Sequence, residues 1–439
     1  MASADSDNRW MYAQFPYNVT IGPLSTLVAL YILGLGGNAI DVAYAIGLSV
    51  LVSIPAAILW GMVADRMARR KPLIIASYAG VGIFTLCMFF ARNVGYVTVL
   101  YAMGSFMSAA SGVTISIIVM EHAKEKKWGH NFALLQFISG MGSTAGLAVA
   151  FMVTGVANGI GGLLYLIVIL SAASFASIFF ALALLREPKR IEDRKSVLNN
   201  FHAFMARMRI YPLIFLRVPR VSSFAKVFAI FNDGKSKYLF AMYMAAVVFY
   251  FGTSVFNTQY PVGLKQAGLG ESSVFAIILV GSIVQVLAFY YYDKIVNRKE
   301  RKGLITYSLL ARGCGYLLIG IAFLFFGRSI ISGASFILYP LSAGLAYAIY
   351  YTVSNILLFE AVGGKKKGVT LGVYSSIVSI GSFGGAIASG YLSIAFGYGS
   401  VFIIAGALIA ACVLIYSIMR RMEPKRKIEE GAMMASTHP

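Results

Sequence analysis

Acidic side chains are scarce in this chain, and none falls where a long apolar stretch would be deepest. The 439 residues hold 17 Asp and Glu against 37 Lys and Arg, and charge of either sign accounts for only 12%. A soluble domain carries roughly 25%, so a soluble globular or disordered protein is excluded. Cysteine is equally sparse. Cys87, Cys314 and Cys412 lie in three different apolar stretches, which argues against a disulfide framework and against a thiolate zinc site. None of the four histidines is deep in a stretch, so no metal-ligand cluster and no cofactor are expected. A Gly-x-x-x-x-Gly-Lys-Ser/Thr loop is missing too, which argues against ATP as the energy source. Residues 1–15 lack the basic start and apolar run of a cleavable leader, so the first apolar stretch is expected to remain as a helix.

Apolar sequence fills the rest. Hydrophobic residues make up 59% and the mean hydropathy is +0.77. Stretches of about 20 residues recur throughout, long enough to cross a ~30 Å hydrocarbon core as helices. Their polarity does not alternate, which excludes a membrane barrel. Twelve spans are expected, near 17–38, 41–63, 72–91, 95–120, 131–155, 162–185, 238–261, 272–292, 303–326, 332–359, 369–395 and 398–419. The fold class is therefore an all-α polytopic membrane protein. A basic break divides it into a six-helix bundle at 1–186, a connector at 187–236, a second six-helix bundle at 237–422 and a tail at 423–439. The connector interleaves Phe201, Phe204 and Phe215 with Arg207, Arg209 and Arg217, a composition suited to the inner membrane surface.

The formal charge of +20 could suggest nucleic acid, but its placement excludes that partner. Every Lys and Arg except Arg9, Arg92, Lys265, Arg312 and Arg328 lies in alternate loops or the tail. This is the positive-inside asymmetry. It places both termini in the cytoplasm and makes the chain a multi-pass protein of the cell membrane, with the bilayer as its partner.

The two halves repeat each other. Glu121 to Gly146 aligns without gaps on Glu360 to Gly385, matching Lys126 with Lys365, Lys127 with Lys366, Gly142 with Gly381 and Gly146 with Gly385. Asp65-Arg66 likewise matches Asp293-Lys294, and Arg70-Lys71 matches Arg298-Lys299. The segment Gly61-x-x-x-Asp65-Arg66-x-x-Arg69-Arg70 resembles the loop between helices 2 and 3 of the major facilitator superfamily. Ala68 stands where that motif usually has Gly. The resemblance covers about residues 15–420 and implies a secondary transporter of two pseudo-symmetric bundles, not an enzyme, that acts as a monomer on a small-molecule substrate held near the midplane.

It also implies a gate. Asp65 would cap the start of helix 11, and Arg69 would pair with Glu121. By symmetry Asp293 would face the start of helix 5 and Arg298 would pair with Glu360. Gly140, Gly142, Gly146, Gly381, Gly384, Gly385 and Gly390 are small enough for close helix contact and are expected between the halves. Helices 1, 4, 7 and 10 should line the cavity, flanked by 2, 5, 8 and 11. Tyr243, Tyr250 and Asn257 recur every seven residues, on one helix face. With Tyr347 and Tyr350, and with Tyr31, Ser108 and Gln136 from the other half, they form the expected substrate site. Tyrosine offers an apolar body and one hydrogen-bonding tip. Arg312 lies ~13 Å into helix 9 at ~1.5 Å per residue and is expected to snorkel to the inner interface, with a buried anion-binding role as its alternative. The uncharged, Met-bearing cavity also suits a lipid or lipophilic-drug exporter, while a membrane-embedded transferase would need an acidic cluster that is not there.

The charge asymmetry has a direct test. In a background with the three native cysteines replaced, Asn93→Cys and Lys366→Cys should react with an impermeant thiol reagent from opposite sides of the membrane. Reaction of both from outside would contradict the twelve-span topology.

Overall fold

The computed structural model describes residues 9–67, 69–122, 128–185, 234–291, 301–362 and 367–421. The greater part of the expected connector and the tail therefore lie outside the described residues.

The first half runs α1 (Gln14–Gly34), entered through a 3-10 turn at Arg9–Ala13, then α2 (Ala39–Arg66) and α3 (Lys71–Cys87), which a 3-10 turn at Met88–Phe90 extends. α4 (Val94–His122), α5 (Trp128–Val156) and α6 (Ile160–Leu184) complete it. The second half runs α7 (Gly234–Gln266), α8 (Glu271–Tyr290) and α9 (Arg301–Phe325). α10 has three parts: Arg328–Tyr339, a π-helical Pro340–Ala346 and Tyr347–Val362. The last helical stretch, Lys367–Arg421, breaks at Gly397, where φ is 75°, giving α11 (367–396) and α12 (398–421). Among the described residues eleven stretches are long and apolar enough to cross a membrane, and the longest, Tyr374–Ser417, contains that break and so supplies two spans.

The local signals explain the boundaries. Asn38 opens α2 with a capping box: its Oδ1 accepts from the backbone N–H of Ile40 and Asp41, and Asp41 Oδ2 accepts from the Asn38 N–H. Asp41 is thereby committed to a cap. Gly36, Gly159, Gly268 and Gly397 all have positive φ and turn the chain at the helix ends away from the basic loops. Only glycine adopts that conformation without steric cost. The four glycines fall at equivalent turns of the two halves, α1–α2 with α7–α8 and α5–α6 with α11–α12.

In the first bundle α1 packs on α5 and α6, α2 on α4, and α3 on α4 and α6. In the second, α7 packs on the α11–α12 hairpin, and α9 lies between α12 and α10. The bundles meet along α2–α11 and α5–α8. Side chains bridge helices by donating to backbone carbonyls: Thr20 to Leu170 at 2.6 Å, Ser77 to Met107 at 2.7 Å and Ser174 to Tyr78 at 2.8 Å. Lipid offers those hydroxyls no partner. The outward surface is apolar, with Phe179, Phe325, Ile337 and Leu414 all well exposed.

The repeated glycines require a correction. Gly142 and Gly146 do not lie between the halves. They seat α5 on α1, where an added Cβ would stand 2.3 Å from the Phe15 carbonyl oxygen and 2.1 Å from that of Val19. Their repeats Gly381 and Gly385 seat α11 on α7, at 2.9 Å from the Val247 oxygen and 2.3 Å from that of Phe251. Gly384 also faces Phe251. The repeat thus encodes one contact inside each bundle. The glycines that do serve the seam are Gly140, against Val286 of α8, and Gly47 and Gly390, which close α2 on α11. The α2–α11 seam is tight at the end away from the basic loops. There Gly390 meets Ala39, Ile40 and Ala43, the hydroxyls of Tyr44 and Tyr391 are hydrogen-bonded, and Gln259 of α7 donates to the Ala39 carbonyl at 2.9 Å.

Gly146→Ala and Gly385→Ala should each push two backbones apart, at a cost of about 1–3 kcal/mol typical of overpacking. Gly112→Ala, with nothing within 4 Å of the new Cβ, should be neutral. Melting temperatures of the three purified variants check this, and equal values would contradict the packing described.

Candidate functional site: a cavity between the bundles

The cavity has a volume of about 390 Å3 and is formed almost wholly by the second bundle. α7 contributes Tyr250, Thr253, Ser254, Asn257 and Thr258, α8 contributes Gln285, α9 Arg312, α10 Tyr339, Ala343 and Tyr347, and α11 Ser382. The first bundle adds only Ser25 and Ile46.

Helix geometry explains how these residues converge. Tyr250 and Asn257 are seven apart, nearly two turns of α7. Ser254, between them, donates to the Ser382 carbonyl at 2.7 Å and ties α7 to α11. Tyr339 and Tyr347 are eight apart, which on a regular α-helix would turn them about 80° from each other. The π-helical turns at Pro340–Ala346 lie between them. A π-turn absorbs an extra residue and returns both tyrosines to the cavity face.

Arg312 overturns the snorkelling expectation. It is only 1% exposed and stays at the depth of the cavity. Gly315 allows this, since a Cβ there would stand 2.5 Å from Ser342 Cβ, so α9 lies close against the π-helical part of α10. Arg312 Nη1 donates to the Ser342 carbonyl at 3.0 Å. The guanidinium carbon sits 5.0 Å from the ring centroids of Tyr316 and Tyr347 and 5.4 Å from that of Phe249, within cation–π range. Its Nε has no partner. A helix-centre Arg costs ~2.5–3.5 kcal/mol on insertion scales and ~10–17 kcal/mol in simulations of isolated helices, and three rings and one carbonyl offset that cost here.

An aromatic column backs the site. Tyr316 stacks on Phe256 at 3.6 Å, and Tyr260 stacks on Tyr339 at 4.8 Å. Tyr316 donates weakly to Asn257 Oδ1 at 3.5 Å. These rings fix the walls through which Arg312 reaches the cavity.

Of the residues expected from sequence, Tyr250, Asn257 and Tyr347 line this cavity, and Gln285 joins them. The others pack elsewhere. Tyr243 is buried near Tyr374, and Tyr350 is fully buried with its ring stacked on Phe249 at 3.6 Å. Tyr31 donates to the Ala91 carbonyl at 2.8 Å, inside the first bundle. Ser108 accepts from Tyr17 at 2.8 Å in the same bundle. Gln136 donates to Tyr351 at 2.9 Å and so bridges α5 and α10 beside the cavity. Within the expected gate, Gly61 faces Val113 of α4, Arg69 is exposed, and Arg70 opens α3. The side chains of Asp65, Arg66, Glu121 and Glu360 lie outside the described residues, as do Asp293 and Arg298 entirely. Sequence reasoning missed Thr253, Thr258, Ser25 and Ser382, small hydroxyl residues that carry no distinguishing signal among the many in these helices.

Twelve membrane-crossing helices in two pseudo-symmetric bundles with a polar cavity between them define the architecture of a membrane transporter. The sequence matches the Major Facilitator Superfamily model over residues 11–340 and again over 311–437, and the chain belongs to that superfamily. Among solved structures, it resembles a mutant of the nucleoside transporter NupG (TM-score 0.68, 14% identity, covering 94% of this chain and 98% of that one). It also resembles a POT family transporter in complex with 5-aminolevulinic acid (TM-score 0.68, 12% identity, 96% and 97% covered). A third, described under substrate recognition in proton dependent oligopeptide transporters, gives a TM-score of 0.70 at 12% identity, with 96% and 100% covered. At these identities the likeness is one of fold. No curated protein matches the sequence.

The packing separates two kinds of tyrosine. Tyr250→Ala and Tyr347→Ala should weaken ligand binding about fivefold or more, since each lost hydrogen bond or stacked face is worth on the order of 1 kcal/mol. Tyr350→Ala should instead lower the melting temperature by opening a buried void, with affinity kept in the folded fraction. Binding and melting measured on all three variants check the division, and an affinity loss confined to Tyr350→Ala would reverse it.

Proposed function

We propose that the protein moves a small organic solute across the cell membrane by alternating access, and that the cavity between the bundles holds the solute. The observation that carries this reading is the placement of a polar cavity where the two bundles meet, halfway along helices whose outer surfaces are apolar. Its volume lies toward the lower end of small-molecule sites, roughly 300–1,000 Å3. That size and its hydroxyl and amide lining favour a metabolite-sized solute over a lipid or lipophilic drug. Family membership favours transport over a transferase.

The moving parts are the bundles at 1–186 and 237–422, linked by the connector at 187–236. The tight α2–α11 contact at the end away from the basic loops closes the cavity on that side. To release the solute there, Gly390 must part from α2 and Gln259 must give up the Ala39 carbonyl. The Asp65–Arg70 loop and its repeat at Asp293–Arg298 form the opposing gate. In this reading Asp65 would cap the positive N-terminal end of α11, Arg69 would pair with Glu121, and Arg298 with Glu360. Both termini face the cytoplasm, and one chain suffices.

In proteoliposomes, a solute that raises the melting temperature of the purified protein should show saturable counterflow. Asp65→Asn should slow it severalfold while leaving equilibrium binding within about twofold, because the cap acts on the equilibrium between states and not on the cavity. Stabilising solutes that never cross, or an Asp65→Asn variant with normal turnover, would contradict transport and gate respectively.

A further inference from the structure

We propose that the solute is a small organic anion and that Arg312 is its charge partner. This rests on the transport reading of the same cavity and adds the substrate class to it.

Charge balance favours an anion. No Asp or Glu occurs in the middle of any span. The acidic side chains that the structure describes, Asp41 and Glu271, are both committed at helix ends: Asp41 to the α2 cap, and Glu271 to Lys265. Arg312 therefore brings an unbalanced positive charge to the cavity wall, and arginine does not deprotonate in proteins. The rest of the lining is neutral. A neutral solute would leave that charge unbalanced, and a cation would add repulsion in a medium that screens poorly. An anion completes the site.

Geometry restricts the anion further. Guanidinium is a planar fork of five N–H donors. Here the rings of Phe249, Tyr316 and Tyr347 surround it, one donor is spent on the Ser342 carbonyl, and Nε is unpartnered although the residue is 1% exposed. The donors that remain suit the paired oxygens of a carboxylate or phosphate, which arginine binds bidentately. Tyr250 and Tyr347 supply flat apolar walls for the body of the solute, with Asn257 and Gln285 as neutral hydrogen-bonding groups. The fit is to a compound of about one ring carrying one oxyanion.

The alternative is that Arg312 only pins α9 to α10. Four one-ring probes separate the two roles: benzoate, phenyl phosphate, benzamide and benzylamine, tested by thermal shift and equilibrium dialysis on the full-length purified protein. Benzoate or phenyl phosphate should stabilise at a concentration at least tenfold lower than benzamide, and benzylamine should not stabilise at all. The stronger of the two anions tells carboxylate from phosphate. Arg312→Gln should bring the anion to the benzamide level, with Arg312→Lys intermediate. The proposal is overturned if benzamide or benzylamine matches the anions, if neither anion stabilises, or if Arg312→Gln keeps the effect. Should Arg312→Gln fail to fold, the wild-type comparison among the four probes still decides. In proteoliposomes, transport of an uncharged solute alone would remove the anion and keep the transport reading. Anion binding at Arg312 with no transport of any probe would do the reverse.

Discussion

Arg312 carries a full positive charge to a depth where lipid supplies neither water nor counter-ion, and the second bundle is arranged around that fact. α9 comes close enough to α10 because Gly315 leaves room for Ser342, and it is held from behind where Gly313 and Gly320 meet the backbone of α12. The Ser342 carbonyl is free to accept because it belongs to the π-helical turns, where the regular hydrogen-bond ladder is already disturbed. Phe249 and Tyr347 reach in from α7 and α10 to cover the guanidinium. Small residues, a π-turn and a ring cluster thus serve one charge, and the same π-turn directs Tyr339 and Tyr347 to the cavity.

The two halves share packing but not chemistry. Gly142 and Gly146 meet α1 as Gly381 and Gly385 meet α7, and left-handed glycines turn both halves at equivalent points. The charge has no such counterpart. Asp293 follows Asp65 by 228 positions, and the same step back from Arg312 falls on Phe84. On the proposed reading, pseudo-symmetry serves the movement between bundles, and its local failure serves recognition. The cavity wall likewise belongs almost wholly to the second bundle, with Ser25 and Ile46 as the first bundle's share.

Much of this was legible in the sequence, and what was not has physical causes. The spans could be read because each is a continuous apolar run, and the class followed from the Asp65–Arg70 motif together with the repeat. Tyr250 and Asn257 could be placed on one face because α7 is regular between them. Tyr339 and Tyr347 could not be paired by spacing, since a π-turn changes the register without a strong sequence mark. Gly142 and Gly146 of α5, and Gly381, Gly384 and Gly385 of α11, were assigned to the wrong interface because spacing identifies a face but not the helix it meets. Tyr31 and Ser108 proved to be bonded within their own bundle: a backbone carbonyl and a neighbouring tyrosine satisfy them first. Arg312 was misread because a long side chain can reach either the interface or the interior. Only the glycine-lined approach of α9 to α10 decides for the interior.

On the proposed reading, one fixed positive charge in the second bundle orients the solute. Anomalous scattering from crystals of the protein with 4-iodobenzoate tests it most directly, because the iodine and the carboxylate mark opposite ends of one molecule. The expected result is an iodine peak inside the cavity beside Tyr250 and Tyr347, with the carboxylate turned to the Arg312 guanidinium. A peak outside the cavity, or a carboxylate turned away from Arg312, would contradict it.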